Sequence, residues 1–516
     1  MQAEILDQFD DLSGWNAISS GQVQASLSPD SGPAGSAMRI DFDFCGGGGF
    51  VVARKLFPLD LPESYSFAFQ IRGEAPANIF EFKLVDASGQ NVWRYREEAF
   101  PLPAEWQTVR IRSSQIDFAW GPLGGGPARK IAAIELVLAA GPGGSGKVWF
   151  ADLQFRDDTY RATPVASASA SAEGCAPCHV LAPDAAVWRS ATPEAAWLTV
   201  DFQQEREFGA LVIHWDSELR AREFAVEVCP DGGAWRNAYE TTQGAGERSY
   251  VYLPGTICRF VRLQLKRGRG DTGFGIRHME IKPFDFARSL NGFFEGMAGE
   301  WPTGFYPKYF SGRQSYWTPV GTGTGGSQAL FNEEGLVEVD KGSFSIEPFL
   351  YADGRLITWA ESERTQTLAE GYLPIPSSEW LTDDWRLTTT AFAAEHAGRP
   401  VLFIRYRIDN RTAEARSVSL FTAIRPFQVT PTWQHWRKFG GVTPVRHIAY
   451  RDGVVWVDVT KAIISLGSAA GSGAGGSLQP DGFGAAAFAE GAVTEFLARG
   501  ELPPHAELQD EFGYGS

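Results

Sequence analysis

Cys175-Ala-Pro-Cys178-His179 is the stretch whose residue types and spacing come closest to a defined chemistry, because C-x-x-C-H is the attachment signature of c-type haem. Covalent haem also needs a small helical domain around it and usually an export signal, and the flanking sequence supplies neither. A zinc site would need a second ligand pair at matching spacing, which Cys229 and Cys258 could furnish only through a coincidence of fold. The stretch therefore reads as a loop with incidental thiols, and no haem is expected.

Gly141 to Lys147 (GPGGSGK) has the G-x4-G-K spacing of a phosphate-binding loop. Such a loop continues into Ser or Thr and then a helix whose N-terminus faces the phosphate. Here Val148 follows and VWFADLQF reads as a strand, so a hairpin turn is expected. Gly268, Gly270 and Gly273, like Gly321, Gly323 and Gly326, match G-x-G-x-x-G without the required strand-to-helix frame. No nucleotide is expected to bind.

Hydrolytic chemistry has little to work with. There is no G-x-S-x-G elbow and no H-E-x-x-H, and the histidines are scattered. Glu333-Glu334 and Asp383-Asp384 are adjacent acids, and neighbours on a strand point to opposite faces. Such pairs do not by themselves span a glycosidic bond, so they read as solvated turn acids. Asn410-Arg411-Thr412 is a glycosylation sequon, relevant only to a protein secreted by a eukaryote.

Aromatic residues interleaved with guanidinium groups carry a different chemistry. Sugar rings present apolar C–H faces that stack on Trp and Tyr, while charged and amide groups fix the hydroxyls. Trp93-Arg94-Tyr95-Arg96 interleaves rings and donors in a loop or edge strand. Trp433, His435 and Trp436 do the same, followed by Arg437 and Lys438. These seven residues, Arg437 and Lys438 aside, are the expected carbohydrate-binding positions, and no catalytic residue is assigned.

The elements that must position them are strands. From Ala37 to Ile111 short runs alternate apolar and polar residues (MRIDFDF, YSFAFQIRG, FEFKLVDA, WQTVRIRS), which puts one face of each strand on a core. Arg161 to Gly174 is small, polar and rich in Ala and Ser, the composition of a linker. Strand and turn signals then resume in WLTVDF, GALVIHW and CRFVRLQL, and again after about Leu290, where a further all-β region begins. Leu466 to Ala487 is a Gly/Ala/Ser tract that reads as a loop. Helical periodicity is confined to Ala486 to Arg499, and no repeat of fixed period is present.

Bulk properties narrow the partners. A chain of 516 residues has room for about three domains. Its 57 Gly, 30 Pro, 36 Phe and 17 Trp suit short strands broken by turns. A net charge of −16 argues against nucleic acid and against an anionic membrane surface, while neutral glycans remain compatible. No long uncharged apolar run is present, so no membrane span is expected. The acidic opening Met1 to Asp11 lacks the features of a signal peptide. This points to a cytoplasmic protein as recorded, or to a secreted one if the true start lies upstream. Five cysteines cannot form a disulfide scaffold.

Three resemblances organise these observations. Residues 1–157 resemble jelly-roll carbohydrate-binding modules related to the complex I intermediate-associated protein 30 family, through Phe9-Asp10-Asp11 with Trp15, Phe80 to Asp86, Glu105 to Val109, and Val148 to Leu153. That resemblance implies a structural calcium between early and last-strand acids, which would be Asp10 and Asp152. Residues 162–284 resemble a discoidin (coagulation factor type C) domain through Trp188-Arg189-Ser190, Trp197 to Phe202, Phe224 to Val228, Trp235, Arg259 to Leu265 and Ile276 to Ile281. The family's usual Asp-Gly-Asp loop before Trp-Arg-Ser is absent, and Cys175 to His179 falls in that degenerate loop. Residues 288–516 resemble the β-super-sandwich that precedes the helical barrel of glucoamylase-like and cellobiose-phosphorylase-like enzymes, through Asn291 to Glu295, Tyr309 to Gly312, Asn332 to Gly335, Ile424 to Val429 and Trp433-Gln434. In those enzymes the acid and base lie on the barrel, so an incomplete or truncated arrangement is implied.

The expectation is an all-β chain of three tandem β-sandwich modules, the last a super-sandwich. It would bind oligo- or polysaccharide without catalysis, as the N-terminal part of a larger glycan-processing enzyme. A glycoside hydrolase or phosphorylase active in its own right, and a discoidin scaffold for protein partners, are the alternatives.

Overall fold

Alternating aromatic and polar residues become paired antiparallel strands, as the period-two pattern requires. The computed structural model describes residues 3–183, 186–269, 273–323, 326–434, 439–466, 482–487 and 493–510. The chain divides into two units, Met1–Arg161 and Ala162–Ser516.

The first unit is a sandwich of two six-stranded sheets. Its strands are β1 (Glu4–Asp7), β2 (Asn16–Ser19), β3 (Gln24–Ser31), β4 (Ser36–Asp43), β5 (Phe50–Asp60), β6 (Tyr65–Glu74), β7 (Asn78–Val85), β8 (Val92–Phe100), β9 (Gln107–Arg112), β10 (Asp117–Trp120), β11 (Lys130–Ala139) and β12 (Ser145–Asp157). One sheet runs β3-β4-β12-β6-β9 with β1 added to β12, and the other runs β10-β8-β7-β11-β5-β2. Phenylalanines from both sheets interdigitate between them: Phe67 lies 5.0 Å from Phe82, and Phe69 lies 6.0 Å from both Phe80 and Phe82. Burying each such ring contributes about 2 kcal/mol, so this aromatic layer is the main hold between the sheets.

The Gly141–Lys147 motif is not the expected hairpin. Strands β11 and β12 lie in different sheets, and the segment between them carries the chain across the sandwich. Two of its amides are already used: Gly141 N and Gly143 N donate to Asn78 Oδ1 at 2.9 and 3.0 Å, and Asn78 Nδ2 donates to Gly143 O at 3.1 Å. Asn78 is buried, so this turn satisfies a polar side chain and does not present its amides to a phosphate.

The second unit opens with β13 (Val165–Ala168), β14 (Trp188–Arg189), β15 (Ala196–Trp215), β16 (Ala221–Cys229), β17 (Arg236–Thr241), β18 (Arg248–Gly268) and β19 (Gly275–Lys282). They form one sheet in the order β14-β19-β15-β18-β16-β17, with β13 on β15. A helix, α1 (Leu290–Glu300), then departs from the expected all-β continuation. Ser289 caps it by accepting from Gly292 N, and Leu290, Phe293, Phe294, Met297 and Ala298 make one apolar face. That face packs with Tyr306, Tyr309, Phe310 and Phe427 against Ala210, Val212 and Tyr250, so α1 joins the sheet to the region that follows. Further sheets succeed it, including Trp317–Gly321, Gln328–Asn332, Val337–Glu338, Ser345–Ala352, Arg355–Ile357 and Ser419–Arg425 in one, and Glu363–Ala369, Leu373–Leu381, Trp385–His396 and Arg399–Asn410 in another. Of the helix expected at Ala486 to Arg499, only α2 (Val493–Leu497) is helical; Ala486 and Ala487 are not, and 488–492 lie outside the described residues. The all-β class is met, with these short helical exceptions. Among the described residues no helix is long and apolar enough to cross a membrane.

Two acids read as solvated are placed otherwise. Glu334 is fully buried, with Oε2 accepting from Lys308 N at 3.3 Å, and Glu333 pairs with Lys308 Nζ. Burial first, then the carboxylates of Glu347 and Glu333, push the Glu334 pKa up to about 8. A group protonated in the fold up to that pH contributes stability that is full below its unfolded pKa of 4.5 and is lost as pH rises toward 8. Chemical denaturation of the full chain should therefore show a decline across that window, on the order of 4 kcal/mol for this group. Glu334→Gln, which keeps the neutral shape, should flatten it. An unchanged pH profile in the variant would assign the decline to other groups.

Candidate functional site

Strand β8 separates what the sequence run Trp93-Arg94-Tyr95-Arg96 joins. Strand β8 is interior, between β10 and β7, and alternate residues point to opposite sides of its sheet. Trp93 faces the core at 3% exposure, with its ring edge-on to Phe118 at 5.6 Å and Nε1 donating to Gly126 O at 2.7 Å. Tyr95 packs against the same core and donates its hydroxyl to Glu97 at 2.7 Å. The Trp93 ring is therefore removed from any sugar platform, which corrects the expectation for Trp93, while Tyr95 stays partly exposed on the same side of the sheet. Arg94 and Arg96 point the other way, onto the outer face.

There the register assembles a ladder of polar residues across six strands. Asp117 pairs with Arg94, Arg94 with Lys83, Lys83 with Glu135, Glu135 with Arg54, and Arg54 with Asn16. Glu81, one step along β7, is the hub: it meets Lys83 Nζ at 2.9 Å, Arg94 Nη1 at 2.7 Å and Arg96 Nη1 at 2.6 Å while only 3% exposed. Burial pushes its pKa up, but the hydrogen bonds from Lys83 and Arg96 and the charge of Arg94 outweigh it and hold the carboxyl below its ordinary range. Arg54 pairs with Glu135 at 3.0 Å. Val52, Val85, Val92, Ala133 and Val137 lie buried on the same face, so the polar strip is bordered by apolar ground.

Trp120 completes the face. It pairs with Val92 at the edge strand β10, is 47% exposed, and has Lys83 Nζ at 5.2 Å and Arg94 Cζ at 5.7 Å from its ring. Its place depends on Gly121 (φ +139), where an added Cβ would stand 2.7 Å from the Asn91 Cα and from Gln90 O. Asn91 Oδ1 accepts from Leu123 N at 2.9 Å, and Trp93 Nε1 holds Gly126 from beneath. Buried Trp93 thus anchors the loop that follows exposed Trp120. The sequence signal for Trp120 was its place at the end of a short strand, just before a Gly-rich turn (Trp-Gly-Pro-Leu-Gly-Gly-Gly).

The second expected cluster is partly described. Trp433 is 51% exposed in a short 3₁₀ turn held by Gln434, which accepts from Ser315 N at 2.7 Å and donates to Ser315 O at 2.9 Å. His435 and Trp436 lie outside the described residues. Cys175, Cys178 and His179 lie at and just before the short 3₁₀ turn Pro177–Leu181, with both thiols free.

The implied calcium does not fit the donors present. Such an ion takes roughly six to eight oxygens. Asp10 is exposed, and Asp152 sits at the β12 irregularity with φ +51. The buried acid beside them is Asp7, and it is committed: it accepts from Lys55 Nζ at 2.6 Å, Trp15 Nε1 at 2.9 Å and Phe9 N at 2.7 Å. The Lys55 ammonium supplies the positive charge that a cation would bring. Among the described residues no group of three or more His, Cys, Asp or Glu could hold a metal.

Among known proteins, the NedA-like, galactose-binding domain family (F5/F8 type C) matches residues 182–263. No curated protein matches the chain. Among solved structures, the family 11 carbohydrate-binding module of the cellulosomal cellulase Lic26A-Cel5E of Clostridium thermocellum is 20% identical, covering 30% of this chain and 94% of that one at a TM-score of 0.26. Chitosan-binding module 2, in complex with chitotriose, from the chitosanase/glucanase of Paenibacillus sp. IK-5 is 19% identical, covering 24% of this chain and 99% of that one at a TM-score of 0.22. Neither likeness bears on function at these scores.

Two outcomes check the placements. Trp93→Ala should cost about 3–5 kcal/mol of stability by opening a core cavity. EDTA should leave the melting of the full chain unchanged, whereas Lys55→Met, which strands Asp7, should destabilise it by about 3–5 kcal/mol. A calcium-dependent rise in the wild-type melting temperature would contradict the role given to Lys55. Across residues 182–263 the chain is similar to the galactose-binding-like domains of the F5/F8 type C family.

Proposed function

We propose that the first unit is a saccharide-binding module that uses the outer face of the β10-β8-β7-β11-β5-β2 sheet. The observation that carries this is Trp120, a half-exposed ring beside cations already fixed in place by a buried carboxylate. An immobilised platform loses little entropy on binding, and indole stacks on the apolar face of a pyranose. Arg94, Arg96 and Lys83 keep donor capacity for hydroxyls because each carries N–H groups beyond those given to Glu81 and, for Arg96, to Glu98. The family matched at residues 182–263 is described as galactose-binding, which supports a second saccharide-binding module in tandem. Two weak sites on one chain raise the retention on a polymer without new contacts.

The same reading makes the chain the binding part of a glycan-processing enzyme. In support, the Glu333-Glu334 pair is not open to a substrate: Glu334 is sealed and Glu333 is tied to Lys308. An intact mass of the native product well above 56.4 kDa would agree with that finer assignment, and one equal to it would make the chain a binder in its own right.

Affinity electrophoresis in gels carrying β-glucan, chitosan or galactan tests the binding face. Trp120→Ala should reduce retardation about tenfold or more while leaving the melting temperature unchanged, since its ring is already half in water. Equal retardation of wild type and variant in every gel that retards the wild type would remove Trp120 from the site.

A further inference from the structure

The opposite sheet of the first unit holds a guanidinium with no protein partner. Arg72 lies on β6 in the same row as Trp149 on β12 and Arg39 on β4. Its Cζ stands 4.2 Å from the Trp149 ring centre and 5.7 Å from that of Trp106. The Arg72 side chain makes no hydrogen bond or ion pair with any described residue, and its Nε is shielded from solvent without an acceptor. Trp149 is itself fixed, because Nε1 donates to Asp30 at 2.9 Å and Asp30 is held by Arg39 at 3.1 Å. Arg39 also takes Asp41 at 2.8 Å, so the nearby acids of β3 and β4 are already spent on it.

Lys147 stands two residues from Trp149 on the same face, exposed and without an ion pair. Glu74 is registered opposite Lys147, yet no bridge within 4.0 Å forms between them or between Glu74 and Arg72. This face therefore carries a guanidinium fork over a ring, a second cation and a partly exposed indole, Trp106, with no protein anion closing the fork. A guanidinium held over a ring keeps its fork fixed in place for a planar two-oxygen acceptor, and a carboxylate is the group that matches it. Trp106 offers the ring surface that a pyranose bearing that carboxylate would cover.

We propose that Arg72, Trp106, Trp149 and Lys147 form a second binding site on the first unit, selective for sugars that carry a carboxylate. The site lies on the sheet opposite Trp120 and does not depend on the binding face assigned there.

Calorimetric titration of the full chain with a short oligogalacturonate, its fully methyl-esterified form and sialyllactose tests it. The ester keeps the sugar rings and removes only the charge. The expected result is binding of the free acid at least about tenfold tighter than the ester, reduced about tenfold by Arg72→Gln. Arg72→Lys should retain part of the affinity, since it keeps the charge and loses the fork, and Trp120→Ala should leave it intact. Binding of sialyllactose but not oligogalacturonate would assign the carboxylate to a sialate; the reverse would assign it to a uronate. Equal affinity for acid and ester, no binding of either acid at millimolar concentration, or full affinity in a folded Arg72→Gln chain would each overturn the proposal and leave Arg72 as packing alone.

Discussion

A carboxylate at 3% exposure on the non-core side of a sheet is stable only where cations converge on it, and Glu81 imposes that condition on the first unit. Lys83 reaches it from two residues along the same strand, and Arg94 and Arg96 reach it from the neighbouring strand. Because strands alternate with period two, the register that gathers these three charges also sends Phe80, Phe82, Leu84 and Trp93 inward. A slip of one residue would bury the charges and expose the aromatics together. The ion cluster and the aromatic core are thus two consequences of one register. The outer face inherits its rigidity from both.

The second unit relies on a different constraint. Helix α1 has an apolar face that must be covered, and the exposed side of the β15–β18 pair supplies Ala210, Val212 and Tyr250 to cover it. Gly209 lets the chain beyond β19 approach closely, since an added Cβ there would stand 2.8 Å from Phe284 O. Trp301 at the end of α1 donates to the Tyr250 hydroxyl at 3.0 Å and carries Arg248 over its ring at 4.7 Å. Deeper in, Arg425 and Glu347 form a fully buried pair at 2.6 Å, close enough to Glu334 for the Glu347 charge to raise its pKa. Such a cluster adds little net stability, but removing one member leaves a charge with no compensation.

Much of the strand content was legible because alternation is a local signal. FEFKLVDA became β7, and YSFAFQIRG falls within β6. Helix α1 was equally legible, with Ser289 before apolar residues at 290, 293, 294, 297 and 298, although Gly292, Gly296 and Gly299 lower the helical propensity of the run. The mistaken platform at Trp93 came from treating four consecutive residues as one surface when the strand divides them by parity. Trp120 escaped notice because it stands alone in sequence and meets Lys83 and Arg94 only across paired strands. The family resemblance points to Asp10, whereas the buried acid is Asp7 at the end of β1. Its commitment to Lys55 spans 48 positions and leaves no trace in spacing.

The amino-acid sequence by itself determined the β class and the alternation that separates core from surface, because each follows from residue type and local period. Tertiary structure alone decided which rings meet water and which charges meet each other. It turned Trp93 inward and left Trp120 out, gave Glu81 three cations, used Lys55 to neutralise Asp7, and left Arg72 over a ring with no anion. Those outcomes depend on strand order and register between residues far apart in the chain. Burial and pairing are properties of that assembled sheet, which no local period encodes.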